Sequence, residues 1–525
     1  MPLDLTVPAD RTSPPKDLEI RPKHAKAWLE ALPLARSIEA GRKIRANLAA
    51  MSRSKIELDD RLQLLEAYRP ITSVILEELD AVYARSALPL TPKARECLVL
   101  AREIASEVAN GFKIAILEKT GKLIGFGNKR QLPALIFRAM QSVAVGIRAA
   151  YKSYTPLPVG LWKEMHLLYL YADKEGFVNE SADPETKATI GELYCESLLL
   201  SLTDPYRLIQ GEVEKTIAMI RSNKGLATLG TTRPATNPAA HYLVPCDTDK
   251  PPKPFGSAND DPGGPNARLL DANPLTDRLK QRKAAIDSGN VSATMSKMVS
   301  LEGMQLLMKL IALWGDPPKR AYRRDPMDTS VAICSGLRAI SHFVSQEPRI
   351  AEAEADAITK GITIPLITVP DDEVSKGLQV NEWEVVNQSA GGLKVKRSGA
   401  TNQSVSVGEA IGMKFMGKQR WTIGVVRWLT MLDDGGMEFG IQFLAPAARM
   451  VAVTPTITSA GTVKIGLLLA ESESSDTADC LLTPPATYSD LREYEIEEEG
   501  VVGRVRATSL IEKTGRFELF HIAPS

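Results

Sequence analysis

The sequence predicts a multidomain α+β protein: an irregular all-α helical N-terminal region, then a small antiparallel β-barrel, then a small C-terminal β module. Three observations carry that prediction. Apolar residues recur at three- and four-residue steps up to about Asn223. Composition then shifts to Pro, Gly, Asn and Asp over residues 224–290. After the next helix the pattern changes to short, strand-like segments separated by Gly, Asn and Asp turns. A chain of 525 residues has room for about two to four domains with real cores.

Residues 1–22 are polar and Pro-rich, lack the apolar stretch of a secretory leader, and read as a disordered tail. An all-α domain follows over residues 23–223. In residues 56–83, Leu58, Leu62, Leu65, Val74, Ile75, Leu79 and Val82 keep the helical step, and Pro70 marks a kink or a break between two helices. Residues 92–112, 132–154, 160–177 and 186–202 repeat the pattern without a fixed period, which favours an irregular array over a solenoid. Residues 224–290 read as an irregular connection holding one strand candidate near His241, and residues 291–316 as a helix stopped by Gly315-Asp316-Pro317. The barrel is expected over residues 317–453, with strands near 331–337, 382–388, 392–397, 410–416, 420–429 and 437–444 and a helical insertion at about 338–360. Residues 454–525 form the β module, ending in a hairpin around Lys513-Thr514-Gly515. Within it the acidic run at 493–500 reads as a solvated strand edge.

Composition excludes several functions. Lys plus Arg equals Asp plus Glu at 64 each, so the chain is not built to coat DNA or an anionic membrane. Five scattered cysteines, with no C-x-x-C pair, read as reduced thiols of a cytoplasmic protein. The five histidines form no metal-ligand spacing, and neither a phosphate loop with its lysine nor a G-x-S-x-G elbow occurs. No run has the length and apolarity of a membrane span. The expectation is a non-enzymatic protein with no catalytic residues, no metal and no cofactor.

One constellation stands out. Asn387, Ser389 and Gly392 are spaced N-x-S-x-x-G across a strand break at Ala390-Gly391-Gly392. A plain hairpin uses the glycines, which reach positive φ without steric cost, but does not require the amide and the hydroxyl. These two either cap the turn or face a ligand. Val425-Val426-Arg427 and Gly440-Ile441-Gln442-Phe443 follow downstream. Upstream, a basic run flanked by prolines holds Arg320 and Arg324 at R-x-x-x-R spacing, with Lys319 and Arg323 beside them. Together these features resemble the PilZ domain, the small β-barrel that receives the bacterial second messenger cyclic di-GMP. The resemblance covers about residues 317–453, and in the family the basic run lies much closer to the turn than the sixty or so residues that intervene here.

The resemblance implies cyclic di-GMP as ligand. Its site would comprise Arg320, Arg324, Asn387, Ser389 and Gly392, with Arg323, Gly391 and Lys319 as additional contacts. The chemistry agrees: guanidinium groups bind phosphate bidentately, bond the O6/N7 edge of guanine and stack on its face. The basic residue Lys319 just before the arginine pair implies two stacked nucleotides per barrel. The helical region would pass occupancy on to a protein partner, in motility, pilus or surface-attachment control. The alternative is a PilZ-like interaction adaptor that binds no nucleotide. RNA binding finds little support, because consecutive strand positions carry no evident stacking aromatics.

Overall fold

The computed structural model describes residues 3–9, 12–16, 18–121, 130–231, 239–255, 264–288, 301–316, 322–347, 378–399, 401–456, 463–470 and 480–525. They divide into two compact units, one of residues 1–86 and 90–319 and one of residues 87–89 and 320–525.

The first unit opens with eight α-helices: α1 (Pro22–Glu30), α2 (Ser37–Ser52), α3 (Leu58–Tyr83), α4 (Pro92–Gly121), α5 (Leu132–Lys152), α6 (Leu161–Glu175), α7 (Ile190–Ser201) and α8 (Glu212–Ser222). Helix α7 shows how locally these boundaries are set. The Thr189 hydroxyl accepts from the Glu192 amide at 3.1 Å, and the Glu192 carboxylate accepts from the Thr189 amide at 3.2 Å. That reciprocal capping box satisfies two donors a helix start would otherwise leave open. Pro70 does not break α3, which runs continuously through it. Helix α5 is long and apolar enough to cross a membrane, yet 78% of its most apolar window is buried in the bundle, as suits a core helix.

The core is mainly apolar, and His166 is a polar group within it that is satisfied at both ring nitrogens. His166 is fully buried; its Nδ1 lies 2.6 Å from the Tyr194 hydroxyl and its Nε2 is 2.9 Å from the Lys250 carbonyl. Burial pushes its imidazole pKa down, because desolvation penalises the charged form. Such full satisfaction is what a buried polar residue requires.

The Pro- and Gly-rich connection is more ordered than its composition suggests. It contains a four-stranded sheet, β1 (Thr228–Gly230), β2 (His241–Val244), β3 (Lys253–Pro254) and β4 (Arg268–Asp271), in the order β1-β4-β2-β3. Helices α9 (Asn273–Asp287) and α10 (Leu301–Gly315) follow. The Tyr242 hydroxyl donates to the Leu313 carbonyl and the Trp314 indole N–H to the Leu199 carbonyl, fastening sheet and last helix to the bundle. Very short strands need such tertiary anchors, so turn-rich composition alone hid them.

The second unit is built from two closed barrels. The first comprises β5 (Asp325–Ser335), β6 (Val380–Ser389), β7 (Gly392–Arg397), β8 (Ala410–Phe415), β9 (Thr422–Met431) and β10 (Met437–Ala445), arranged β10-β7-β6-β5-β8-β9. All six match the expected strands. Trp383 and Phe439 meet edge-on in its interior at 4.8 Å, and the Trp383 indole N–H finds Gln403 at 3.0 Å. Of the expected helical insertion, α11 (Leu337–Ser345) is present, with Phe343 stacked on Trp421 at 5.5 Å; the remainder from residue 348 lies outside the described residues.

The second barrel comprises β11 (Ala447–Pro455), β12 (Lys464–Ala470), β13 (Cys480–Thr483), β14 (Glu493–Glu498), β15 (Val501–Lys513) and β16 (Glu518–Pro524), arranged β11-β12-β13-β16-β15-β14. Numbered within its own barrel, each set closes as 1-2-3-6-5-4, so the two barrels share one topology. The boundary falls at Pro446, because β11 already belongs to the second barrel, not to the first as expected. The acidic strand β14 is no edge either: it pairs with both β11 and β15. Barrel closure removes edges, and its glutamates serve the outer face, where Glu493 and Glu495 hold Arg506 and Arg504.

Candidate nucleotide-binding site

The N-x-S-x-x-G segment forms the tight hairpin between β6 and β7, where Ser389 pairs with Gly392. The Ser389 hydroxyl donates to the Gly392 carbonyl at 3.1 Å, so the serine caps the turn. Neither Gly391 nor Gly392 has a positive φ. Their glycine requirement is steric instead. A Cβ on Gly392 would collide with the Ile441 carbonyl oxygen, and one on Gly391 would meet the Tyr322 ring at 3.1 Å. The missing side chain thus lets β10 and Tyr322 approach the turn.

Asn387 follows a bulge: Val385 pairs with Val395 and Asn387 with Lys394, leaving Val386 unopposed. A bulge re-aims the side chains beyond it. Asn387 Oδ1 is shielded from solvent and finds no hydrogen-bond partner among the described residues. An unsatisfied, shielded amide oxygen is costly, and a ligand donor would remove that cost.

The basic run reaches this turn through sheet register. Asp325 pairs with Gln388 and Pro326 with Asn387, which puts Arg324 level with Ser389. The long sequence gap therefore closes, because β5 and β6 are antiparallel neighbours. Arg323 and Arg324 are exposed, Arg323 Nε lies 3.5 Å from Asp325, and Tyr322 rests on Gly391. Arg320 and Lys319 lie outside the described residues.

Two neighbouring residues escaped the sequence reading. On the outer face of β7, β10 and β9, Lys394 pairs with Gly440 and Gly440 with Trp428. The indole lies over Gly440, where a Cβ would strike Trp428 Nε1. Lys394 Nζ stands 5.6 Å from the Trp428 ring centre and 2.8 Å from Glu438. At the adjacent bulge of β9, Arg427 donates from Nε to Gln442 at 2.7 Å and forks onto Glu512 of β15 at 2.6 and 2.8 Å. Asn387, Lys394, Gly440 and Trp428 thus share one cross-strand row, with Ser389, Gly392 and Gln442 in the next, which Arg427 reaches through its side chain. The outcome is a shelf with amide, hydroxyl, cationic and aromatic surface, edged by arginines. Its glycines, facing Trp428 and Tyr322, were the signal in the sequence, but only the register shows what each one faces.

The closed barrel and its turn suit a PilZ domain, and by its family-model matches the chain belongs to the PilZ-domain proteins. Residues 241–360 and 368–449 match the family model described as the cyclic-di-GMP receptor FimW, middle PilZ domain. Residues 23–235 match the model of the N-terminal domain of the same receptor. Along its length the chain is similar to the Cyclic-di-GMP receptor FimW of Pseudomonas aeruginosa, with 23% identity over 573 aligned residues covering 99% of this chain and 93% of that protein.

Proposed function

We propose that this chain is a non-enzymatic receptor for cyclic di-GMP, binding it on the outer face of the first barrel beside the β6–β7 turn. The observation that carries the reading is the juxtaposition of Arg324 with the N-x-S-x-x-G turn, next to the shielded Asn387 Oδ1, which has no partner among the described residues. Cyclic di-GMP is a dianion with two guanines, and each part meets a suitable group. Arg320, Arg323, Arg324 and Lys319 supply charge for phosphate and forked donors for a guanine edge. Asn387 accepts from a guanine N–H, and Trp428 with Lys394 offers a surface on which a base stacks. Lys319 favours two stacked nucleotides per barrel.

In sequence the basic run falls where the first compact unit ends and the second begins. Occupancy would pass to a cytoplasmic protein partner through the helical region, in motility, pilus or surface-attachment control. Ligand shifts a conformational equilibrium only by its differential affinity for the two arrangements.

Isothermal titration with cyclic di-GMP tests the reading. Saturable binding that bulk RNA does not displace supports it, at two nucleotides per chain for the stacked pair. Absence of heat leaves the interaction adaptor as the function; displacement by RNA would make the barrel an RNA-binding surface.

A further inference from the structure

Residues 3–8, Leu-Asp-Leu-Thr-Val-Pro, fall in what composition marks as a disordered tail, yet they lie against the helical bundle. Leu5 is buried in the bundle core and Leu3 packs beside it. At Thr6 a single residue is gripped by its backbone. Its amide donates to Glu164 Oε1 at 2.9 Å, and its carbonyl accepts from Lys113 Nζ at 2.5 Å. Lys113 and Glu164 pair at 3.3 Å, with side chains only 7% and 11% exposed. Two charges desolvated to this degree need hydrogen-bond partners, and here an extended peptide gives one to each.

Such a clamp reads backbone, as a neighbouring strand would, and is indifferent to the side chain it holds. Choice comes from the sockets for alternate apolar residues, at Leu3 and Leu5. The hold is also slight: Asp4 and Thr6 are exposed, Val7 and Pro8 half-buried, and only Leu5 is fully covered. Beyond Thr6, Val7 and Pro8 the groove opens into a cleft of about 610 Å³ between α4, α5 and the loop entering α6. Val159 stands on its rim with 96% of its surface exposed, an apolar residue that packs against nothing.

The geometry points to a docking groove for an extended segment of a partner protein, one with apolar residues at alternate positions. Residues 3–8 are its intramolecular occupant. The groove already holds a chain of that chemistry, by contacts any extended chain can make, and its unfilled part is mainly apolar and continuous with the occupied part. A tethered occupant competes at an effective concentration on the order of millimolar. The partner therefore binds strongly only when the segment is released.

The test uses a fluorescent peptide with the sequence of residues 3–10, titrated against the full-length chain and followed by anisotropy. Leu5→Asp in the protein, which expels the segment, is expected to bind the peptide at least tenfold more tightly than the wild type. Adding Lys113→Met and Glu164→Gln should abolish that gain, and a peptide carrying Leu5→Asp should not bind. Equal affinity in wild type and Leu5→Asp, or binding indifferent to the clamp substitutions, overturns the proposal. If Leu5→Asp does not melt cooperatively, limited proteolysis of the wild type decides. Cleavage within residues 3–8 that accelerates with millimolar peptide supports displacement; an unchanged rate overturns it. Sedimentation of the wild type closes the remaining route: a dimer that Leu5→Asp converts to monomer would make a second copy the occupant and overturn the partner assignment.

Discussion

The two barrels of the second unit have the same circular strand order and different equipment. In the first, the second and third strands join through a two-residue turn that carries Ser389 and the glycines. In the second, the corresponding strands β12 and β13 are separated by residues 471–479. The first barrel is entered through a basic run, which register brings level with Ser389. The second is entered from β10 across the single residue Pro446, leaving no chain length for an arginine clasp. Where the first has Asn387, Lys394, Gly440 and Trp428 in one row, the second pairs Cys480 with His521 at 3.3 Å. Topology is therefore not what makes a receptor. Function resides in the turn, the lead-in and one outward-facing row of side chains.

The largest expected effect falls on the lead-in. Charge-assisted bonds to phosphate or base are worth about 1.5–3 kcal/mol each, so Arg320→Ala or Arg324→Ala should weaken cyclic di-GMP at least tenfold by titration calorimetry. Thermal stability should change little in Arg324→Ala, since that residue is exposed. Unaltered affinity in both variants would remove the basic run from the site.

Trp428→Ala comes next. Loss of a stacking ring costs about 1–3 kcal/mol per base, and the same titration should show weakening of several-fold or more. Wild-type affinity in this variant would show that the base lies elsewhere on the barrel.

Gly392→Ala probes the fold beneath the site. Its methyl group must displace the Ile441 carbonyl, and overpacking of this kind costs about 1–3 kcal/mol. The melting temperature should fall, whereas Gly500→Ala, at a turn of the second barrel with open space around it, should show only the smaller penalty of a left-handed φ. Equal losses would contradict a special close approach at the shelf.

The smallest effect lies in the helical unit. His166 has its pKa lowered by burial, so the unfolded chain takes up the proton first as pH falls. Its contribution to stability is complete above the ordinary value of 6.5 and declines as the pH drops through that value. Thermal melts at pH 7.5 and 5.5 should show this decline, with a shallower slope in His166→Asn; parallel slopes would assign the pH dependence to other groups.

Much of the first barrel was legible because each of its strands carries a local signal, strand-forming residues bounded by turn residues. The turn motif was legible for the same reason: its residues are neighbours in sequence. What could not be read depends on register. Trp428 and Lys394 lie on different strands and meet only across Gly440, and Arg324 comes level with Ser389 only because β5 pairs with β6. The glycines were expected for positive φ and serve close approach instead, a distinction that needs the opposing strand. Pro70 shows the converse: a strong local breaker is overridden where tertiary packing holds α3 together. Of the small sheet of residues 228–271 only the strand at His241 was legible, because the other strands are two to four residues long within a turn-rich sequence.

The central claim is that one barrel binds nucleotide and its topological twin does not. Amide hydrogen exchange on the full-length protein, with and without saturating cyclic di-GMP, tests it most directly. The account predicts slower exchange at residues 322–326, 386–394 and 440–442, and no change across β12, β13 and β16. Protection confined to the second barrel, or spread equally over both, would contradict it.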